Sequence, residues 1–334
     1  MPALRSVRIL GTGMYVPPDV YTNKDLEKMM DTSDEWIVQR SGIRERRFAK
    51  TGLGPSDLAA EAAQHALTAA GLKVSDIDAI IFATLSPDYY FPGSGVFLQN
   101  LLGCGQIPAF DLRNQCSGFL YGLNVAKAFI SSGQYDRILV VGAECHSRAI
   151  NLTTAGRDVA VLFGDGAGVV ILGPNDDPKR GLLSLHLHSD GAHRDALKME
   201  FPSMRKWPAI TQEMLNDTKH FPTMDGRLVF KNAVTRMPEV VHEALAYNQV
   251  KPDDVDFYVF HQANLRINEA VLKHLAQPAS KTYNNIDRYG NCSAASIPMV
   301  LDECARSGRI KPGDLVCMAS FGAGFTWGSA LLRW

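Results

Sequence analysis

An α/β fold built from two similar halves is what this sequence predicts. Three observations carry the prediction. The chain has 334 residues, 46% of them hydrophobic and 21% charged, enough for a sizeable core and, at about 150 residues per domain, for two domains or one large one. Stretches with the helical apolar spacing i, i+3, i+4 are followed by short apolar runs of strand length. An ordered set of these elements occurs twice, half a chain apart.

The repeat begins with two strands. SDIDAIIFAT (Ser75 to Thr84) and DDVDFYVFHQ (Asp253 to Gln262) share the pattern D-[IV]-D-x-x-[IV]-F. An amphipathic helix precedes each, LAAEAAQHALTAAGL before the first and MPEVVHEALAYNQV before the second. Downstream, Gln115-Cys116-Ser117 opens one helix and Asn291-Cys292-Ser293 opens another. Each helix leads to a polar turn, SSGQYD or RSGRIKPGD, and then to a buried-looking strand, RILVVGAE or LVCMASFG. In this alignment Cys292 is the counterpart of Cys116. The halves are placed at 1–175, carrying Cys116, and 176–334, carrying His261 and Asn291.

The bulk properties narrow the function classes. The net charge is −1, so no global field favours nucleic acid or an anionic membrane. The N-terminal apolar run is too short for a signal peptide, and no stretch approaches 18 consecutive apolar residues, so neither secretion nor a membrane span is expected. Six cysteines stand at 104, 116, 145, 292, 304 and 317. Without CxxC spacing they predict neither a disulfide framework nor a zinc site, and they fit reduced thiols in a cytoplasmic protein.

In open α/β sheets, sites form at the C-terminal ends of the strands. Cys116 follows strand PAFDL and opens a helix, where the helix dipole lowers a thiol pKa. A free cysteine is also a common small core residue, and the local setting of Cys116 allows both readings. His261 directly follows FYVF and precedes a polar QAN. Asn291, in RYGNCSAASIP, reads as a helix N-cap or as a site residue. The other eight histidines lack such a setting and read as surface or structural. Together the three types suit carbon–carbon bond formation. A cysteine holds an acyl group as a thioester. A histidine and an asparagine donate hydrogen bonds to the oxygen of a second thioester as it loses carbon dioxide and becomes an enolate.

Beyond this, TSDEWIVQRSGIRERR, FGDGAG, HQANLRI, GNCSAASIP and SFGAGFTWGSALLRW follow one another in the order and spacing of a known family. The chain resembles a β-ketoacyl-acyl-carrier-protein synthase III, a condensing enzyme of the thiolase fold, over nearly its whole length. The resemblance implies a five-layered αβαβα fold, a homodimer, and a catalytic set of Cys116, His261 and Asn291. It implies an acyl-CoA primer carried on Cys116 and condensed with malonyl-acyl-carrier protein, releasing CoA and carbon dioxide, with no cofactor beyond the CoA thioester substrates. By motif, Trp36 resembles the residue that stacks on the CoA adenine, and Arg40 and Arg157 the arginines that clamp its other face and the phosphates. Asn264 resembles a pantetheine ligand, and Phe91 a residue that caps the partner's acyl pocket. The backbone N–H groups of Cys116 and Ala323 resemble an oxyanion hole. Lys231 and Arg266 lie on segments that dock the carrier protein, which lets a near-neutral chain bind an acidic partner through local charge. Arg44, Arg46 and Arg47 form a further basic run of the kind that is usually a solvated face.

Several positions depart from that pattern. Arg113-Asn114-Gln115 replaces smaller or apolar residues before the nucleophile and is expected to change the polarity of the acyl pocket. Cys292 stands where Thr is usual and reads as structural. Ala323 replaces a common Gly, and Arg227 stands where some members have Asn. Lys198 to Gly226 is longer than the primary-metabolism enzymes require, and is expected either to shape the acyl or carrier pocket or to be a surface excursion. An acyltransferase that passes the acyl group from Cys116 to oxygen or nitrogen is the alternative activity. The intact Asn291 favours condensation, because simple transfer needs no enolate clamp. A complete set of three also argues against a non-catalytic subunit. A dinucleotide-binding protein is disfavoured because RILGTGMYVP supplies G-T-G without the rest of the G-x-G-x-x-G fingerprint.

Overall fold

In the first half a strand of ten residues, β1 (Ser6–Tyr15), is followed by a small ribbon of β2 (Val20–Thr22) and β3 (Glu45–Arg47), with α1 (Asn23–Glu27) and α2 (Asp34–Ser41) between them. Then come α3 (Pro55–Ala70), β4 (Ala79–Ala83), α4 (Ser94–Leu102), β5 (Ala109–Leu112), α5 (Gly118–Ser131), β6 (Ile138–Glu144), α6 (Arg157–Ala160) and β7 (Gly166–Asn175). The second half holds β8 (Gly181–Ser189), β9 (Leu197–Met199), α7 (Gln212–Asn216), β10 (Pro222–Met224), α8 (Gly226–Tyr247), β11 (Phe257–Phe260) and α9 (Leu265–His274). It ends with α10 (Ile286–Tyr289), α11 (Ser296–Arg306), β12 (Leu315–Gly322) and β13 (Thr326–Arg333). This is a computed structural model, and it describes residues 4–177 and 179–334.

Two sheets result. The first has the order β1-β7-β6-β4-β5 and the second β11-β12-β13-β8. β4 pairs in parallel with β5 and β6, β11 pairs in parallel with β12, and the remaining pairs within these two sheets are antiparallel. Every residue of β6 is buried, because helices cover both faces of the sheet and its apolar run has no solvent side. α5 and α11 lie between the two sheets: Phe119, Leu123, Ile297 and Leu301 share one core with Val140 and Val170 of the first sheet and Val316 and Met318 of the second. α3 covers the outer face of the first sheet, where its alanines pack on Ile80, Phe82 and Val141. α8 and α9 cover the outer face of the second through Met237, Val241, Val271 and Leu272. The layers are therefore helix, sheet, helix, sheet, helix, the expected five-layered arrangement. The boundary we propose between the halves, at 175/176, falls between β7 and β8.

The internal repeat is real in the fold but offset by two residues at Cys116. Cys116 is the middle residue of a 3-10 turn, Gln115–Ser117, that runs into α5, and the matching turn before α11 is Ser293–Ala295. The first residue of each turn is left-handed, Gln115 at φ 45° and Ser293 at φ 43°. The strands agree. Ser320 of β12 donates its hydroxyl to the Cys116 carbonyl at 2.8 Å, and Gly142, its counterpart in β6, faces the Ala294 carbonyl. The counterpart of Cys116 is Ala294, not Cys292. The CS pair in both segments had suggested the wrong register.

Candidate active site

Cys116 is placed by close packing at the end of the second sheet. A Cβ on Gly322 would lie 2.8 Å from the Cys116 Cβ and 3.0 Å from its nitrogen, so only glycine lets β12 pass behind Cys116. The backbone N–H groups of Cys116 and Ala323 both act on Sγ. Burial nonetheless raises the thiol to about 11, and the Glu144 carboxyl adds to the rise. The helix start is where the sequence placed it, but desolvation outweighs the dipole, so the expected lowered pKa is corrected. At neutral pH this places Cys116 in the thiol form.

His261 ends β11, its N–H bound to the Ala319 carbonyl at 3.0 Å. Its Nδ1 lies 2.7 Å from Ser296 Oγ, and that hydroxyl donates to the Ser293 carbonyl at 2.9 Å. Ser296 has one proton and a carbonyl can only accept, so Nδ1 carries a hydrogen and donates it to Ser296. Nε2 then presents a lone pair and is buried without a partner. Burial lowers the ring to about 3, which keeps it neutral.

Asn291 comes from the second half but is held by the first. Its N–H donates to the Leu162 carbonyl at 2.8 Å, and its carbonyl accepts from Gly164 N–H at 3.2 Å, a parallel bridge between Phe163 and Asn291. The FGDGAG stretch is thus the clamp that joins the halves at the site. Asn291 Oδ1 accepts from Ser293 N–H at 2.8 Å, which leaves Nδ2 as the free donor.

These three side chains line one cavity of about 730 Å³. Its outer part carries Trp36, Arg40, Arg157, Arg227 and Asn264. The guanidinium carbons of Arg40 and Arg157 lie 4.2 and 4.9 Å from the Trp36 ring centre. Asn264 caps α9 with Oδ1 on Arg266 N–H at 2.9 Å and gives Nδ2 to the Arg40 carbonyl at 2.8 Å, so one N–H and one lone pair remain for a ligand. Ala323 flanks Cys116 without lining the cavity. Lys231 and Arg266 are exposed on α8 and α9. Phe91 is 81% exposed, away from the cavity, beside exposed Tyr89 and Tyr90.

Other expectations are corrected. None of Arg113, Asn114 and Gln115 lines the cavity; the Arg113 guanidinium instead faces the Tyr90 ring at 5.8 Å. Arg46 is no part of a solvated face. It is fully buried, donating to Asn23 Oδ1 and the Val161 carbonyl at 2.8 Å each. The long segment 198–226 folds into the ribbon β9–β10 and α7. Met224, together with Leu197 just before the segment, touches the cavity, whereas Trp207 at its tip is 97% exposed.

The sequence reading overlooked four residues. Ser293 and Ser296 fix the orientation of Asn291 and His261. Asp165 of FGDGAG binds Ser147 and the Ala49 N–H. His146 is buried with Nε2 2.9 Å from Ser293 Oγ, so it is not one of the surface histidines. Its signal was present: like His261, it comes just past a buried, mostly apolar strand.

Comparison with known proteins places the chain in a family. A family profile for 3-oxoacyl-[acyl-carrier-protein] synthase III matches residues 110–191, and the profile for its C-terminal region matches 245–334. The chain is 45% identical over 326 residues to the β-ketoacyl-[acyl-carrier-protein] synthase III of Clostridioides difficile, covering 98% of both. It is 47% identical over 330 residues to that of Paramagnetospirillum magneticum, again 98% of both. The crystal structure of 3-oxoacyl-[acyl-carrier-protein] synthase III from Aquifex aeolicus superposes with a TM-score of 0.90 at 41% identity, over 98% of this chain and 100% of that one. The priming β-ketosynthase of the R1128 polyketide pathway gives 0.91 at 32% identity, over 100% and 97%. Two profile matches, full-length relatives well above 30% identity and a superposable five-layered fold lead to one conclusion: the chain belongs to the β-ketoacyl-acyl-carrier-protein synthase III family.

Proposed function

We propose that this chain loads an acyl-CoA primer onto Cys116 and extends it with malonyl-acyl-carrier protein. One observation carries the reading: Cys116, the unpartnered Nε2 of His261 and the free amide of Asn291 face one cavity whose outer part holds an aromatic ring and three arginines. Trp36 offers a stacking face for adenine, and Arg40, Arg157 and Arg227 offer charge for phosphates. Asn264 keeps one N–H for the pantetheine arm.

In the first half-reaction Cys116 Sγ attacks the thioester carbon. The oxygen gains charge against the Cys116 and Ala323 N–H groups, the carbon–sulfur bond to CoA breaks, and CoA leaves as a thiol with the proton that Cys116 gave up. In the second, Asn291 Nδ2–H and His261 Nε2–H hold the malonyl thioester oxygen. The bond to the carboxylate breaks, carbon dioxide leaves, and the electron pair becomes an enolate. Its carbon attacks the acyl-Cys116 carbonyl, and the sulfur departs with the electron pair of the broken bond. Ser296 must then turn its hydroxyl from the Ser293 carbonyl to Nδ1, which puts the ring proton on Nε2.

The working form we propose is a cytoplasmic homodimer. Tyr89, Tyr90, Phe91, Val96 and Leu101 are exposed on α4 and the loop before it, an apolar face that a second copy would cover, carrying Phe91 to the partner's acyl pocket. Lys231 and Arg266, on the helices at the cavity mouth, would receive the acidic carrier protein.

Intact-protein mass spectrometry with a panel of acyl-CoAs tests the reading. One acyl group should add to the wild type and not to Cys116→Ala, and should discharge with carbon dioxide release when malonyl-acyl-carrier protein is added. An acyl-Cys116 that malonyl-acyl-carrier protein leaves untouched would replace condensation with transfer to an oxygen or nitrogen acceptor.

A further inference from the structure

Cys116 has no hydrogen bond to His261, the histidine that opens on the cavity. Its Sγ lies instead 3.7 Å from Ser293 Oγ, and the same hydroxyl holds His146 Nε2 at 2.9 Å. Cys116, Ser293 and His146 are 7%, 1% and 4% exposed. The line they form leads away from the cavity, which His146 does not reach.

Each member is fixed independently. Ser293 is held through its N–H by Asn291 Oδ1 at 2.8 Å. The His146 ring packs on Phe163 with centroids 4.7 Å apart. The turn that carries it is anchored by Asp165, which accepts from Ser147 N–H at 2.9 Å and from its hydroxyl at 2.5 Å. In the tautomer with the proton on His146 Nδ1, the Ser293 hydroxyl accepts from the thiol while donating to Nε2, and the three atoms then form a directed proton path.

We propose that Ser293 and His146 are the proton relay of Cys116, with His146 a positioning residue that acts on the nucleophile only through the Ser293 hydroxyl. As Sγ attacks a carbon, its proton passes to Ser293 Oγ and the Ser293 proton passes to His146 Nε2. When the leaving thiolate departs, the same path runs backwards and protonates it. No electrons are exchanged with any other reactant. His261 is thereby spared the thiol proton and remains available to the second thioester. This division of labour rests on the proposed acyl-Cys116 reading, whereas the relay itself does not. The ionisable groups that act on it are Glu144 on Cys116, and His261 on His146, with Asp165 and Arg148 beside the turn.

The test is the pH profile of Cys116 alkylation by iodoacetamide, read by intact mass, with Cys116→Ala as the background for the other five cysteines. In the wild type a reactive plateau should extend to neutral pH. In His146→Leu and Ser293→Ala the rate at pH 7 should fall about 100-fold, the scale of a lost general base, and should recover only as pH rises towards ionisation of the thiol itself. The double variant should be no slower than either single one, because the two act as a unit. His146→Gln keeps a hydrogen-bond partner for Ser293 but no base at this pH. If the role is only structural, Gln restores the wild-type profile, and that result overturns the relay. An unchanged profile in His146→Leu overturns it equally. Failure of acyl-CoA to load the wild type, with the alkylation pattern intact, would sink the proposed function and leave the relay standing.

Discussion

His261 Nδ1 and the Ser296 hydroxyl oxygen are 2.7 Å apart, and the direction of that hydrogen bond sets whether Nε2 faces the cavity as a lone pair or as an N–H donor. Removing the hydroxyl leaves a buried Nδ1 unpaired and the tautomer unspecified, which costs about 1–3 kcal/mol. Ser296→Ala should slow carbon dioxide release from malonyl-acyl-carrier protein about 10- to 100-fold, with a smaller effect on loading of Cys116. Radiolabelled carbon dioxide and intact mass measure the two steps separately. Equal losses in both would show that Ser296 serves the fold rather than the tautomer.

Acid should destabilise the protein through its buried histidines. His146 and His261 are lowered from 6.5 to about 3 by burial. The unfolded state therefore binds protons first, and stability present above pH 6.5 is lost as pH falls towards 3, about 1.4 kcal/mol per pH unit per histidine. Glu144, raised by burial from 4.5 to about 7, acts oppositely: the folded state takes its proton first, which offsets part of the loss between pH 7 and 4.5. Urea unfolding at pH 4 to 7 should show a shallower slope in His146→Leu, by about one histidine's share. An unchanged slope would mean that the ring is charged in the folded state.

Arg46 holds two chain segments from inside the core. Its guanidinium binds Asn23 Oδ1, the Val161 carbonyl and, at 3.3 Å, the Tyr21 carbonyl, and no carboxylate among the described residues pairs with it. Burial lowers it from 12.5 to about 10. Lysine cannot reproduce three divergent donors on a planar fork. Arg46→Lys should cost about 2–4 kcal/mol in urea unfolding. Because Val161 lines the cavity, it should also raise the KM for acyl-CoA. A cost within about 0.5 kcal/mol, the range of an ordinary surface substitution, would contradict this account.

Gly322→Ala should cripple the nucleophile without touching any polar group. The new Cβ would press on the Cys116 Cβ and nitrogen, and both are backbone-fixed. A displacement of the order of 1 Å at a reacting atom costs about 100-fold, so acyl-enzyme formation should fall by that factor. Stopped acylation followed by mass spectrometry reads it. A normal rate would mean that β12 can move aside.

Trp36→Ala separates CoA recognition from chemistry. Loss of the ring removes the surface on which Arg40 and Arg157 lie, so the KM for an acyl-CoA should rise about tenfold, with kcat nearly unchanged. A truncated acyl-pantetheine thioester should show no difference between variant and wild type. If the truncated substrate suffers equally, Trp36 supports the fold of α2 instead.

The strand and helix periodicities that define the fold were legible because burial on both sheet faces demands them. β6 and β12 are buried throughout and apolar but for Glu144 and Ser320, and α3 and α8 carry their stripes at helical spacing. The repeat suggested the two halves, and the end-of-strand rule pointed to Cys116 and His261, which line one cavity. The same rule applied once more would have found His146. The repeat misled only where Gln115-Cys116-Ser117 and Asn291-Cys292-Ser293 look alike, because sequence similarity does not register the left-handed residue that starts each turn.

By itself the sequence determined the family, the layered α/β architecture and the residue types of the chemistry, since these depend on local pattern and ordered motifs. Tertiary structure alone decided what those residues can do. Whether a helix start lowers or burial raises the Cys116 thiol depends on how much water reaches it. Whether the His261 Nε2 that faces the cavity carries a proton depends on a hydroxyl 35 residues away in the chain. Arg46 lies in the core rather than on a charged face because carbonyls from distant segments converge on it. These are effects of three-dimensional neighbours on charge and hydrogen bonding, and residues far apart in sequence supply them.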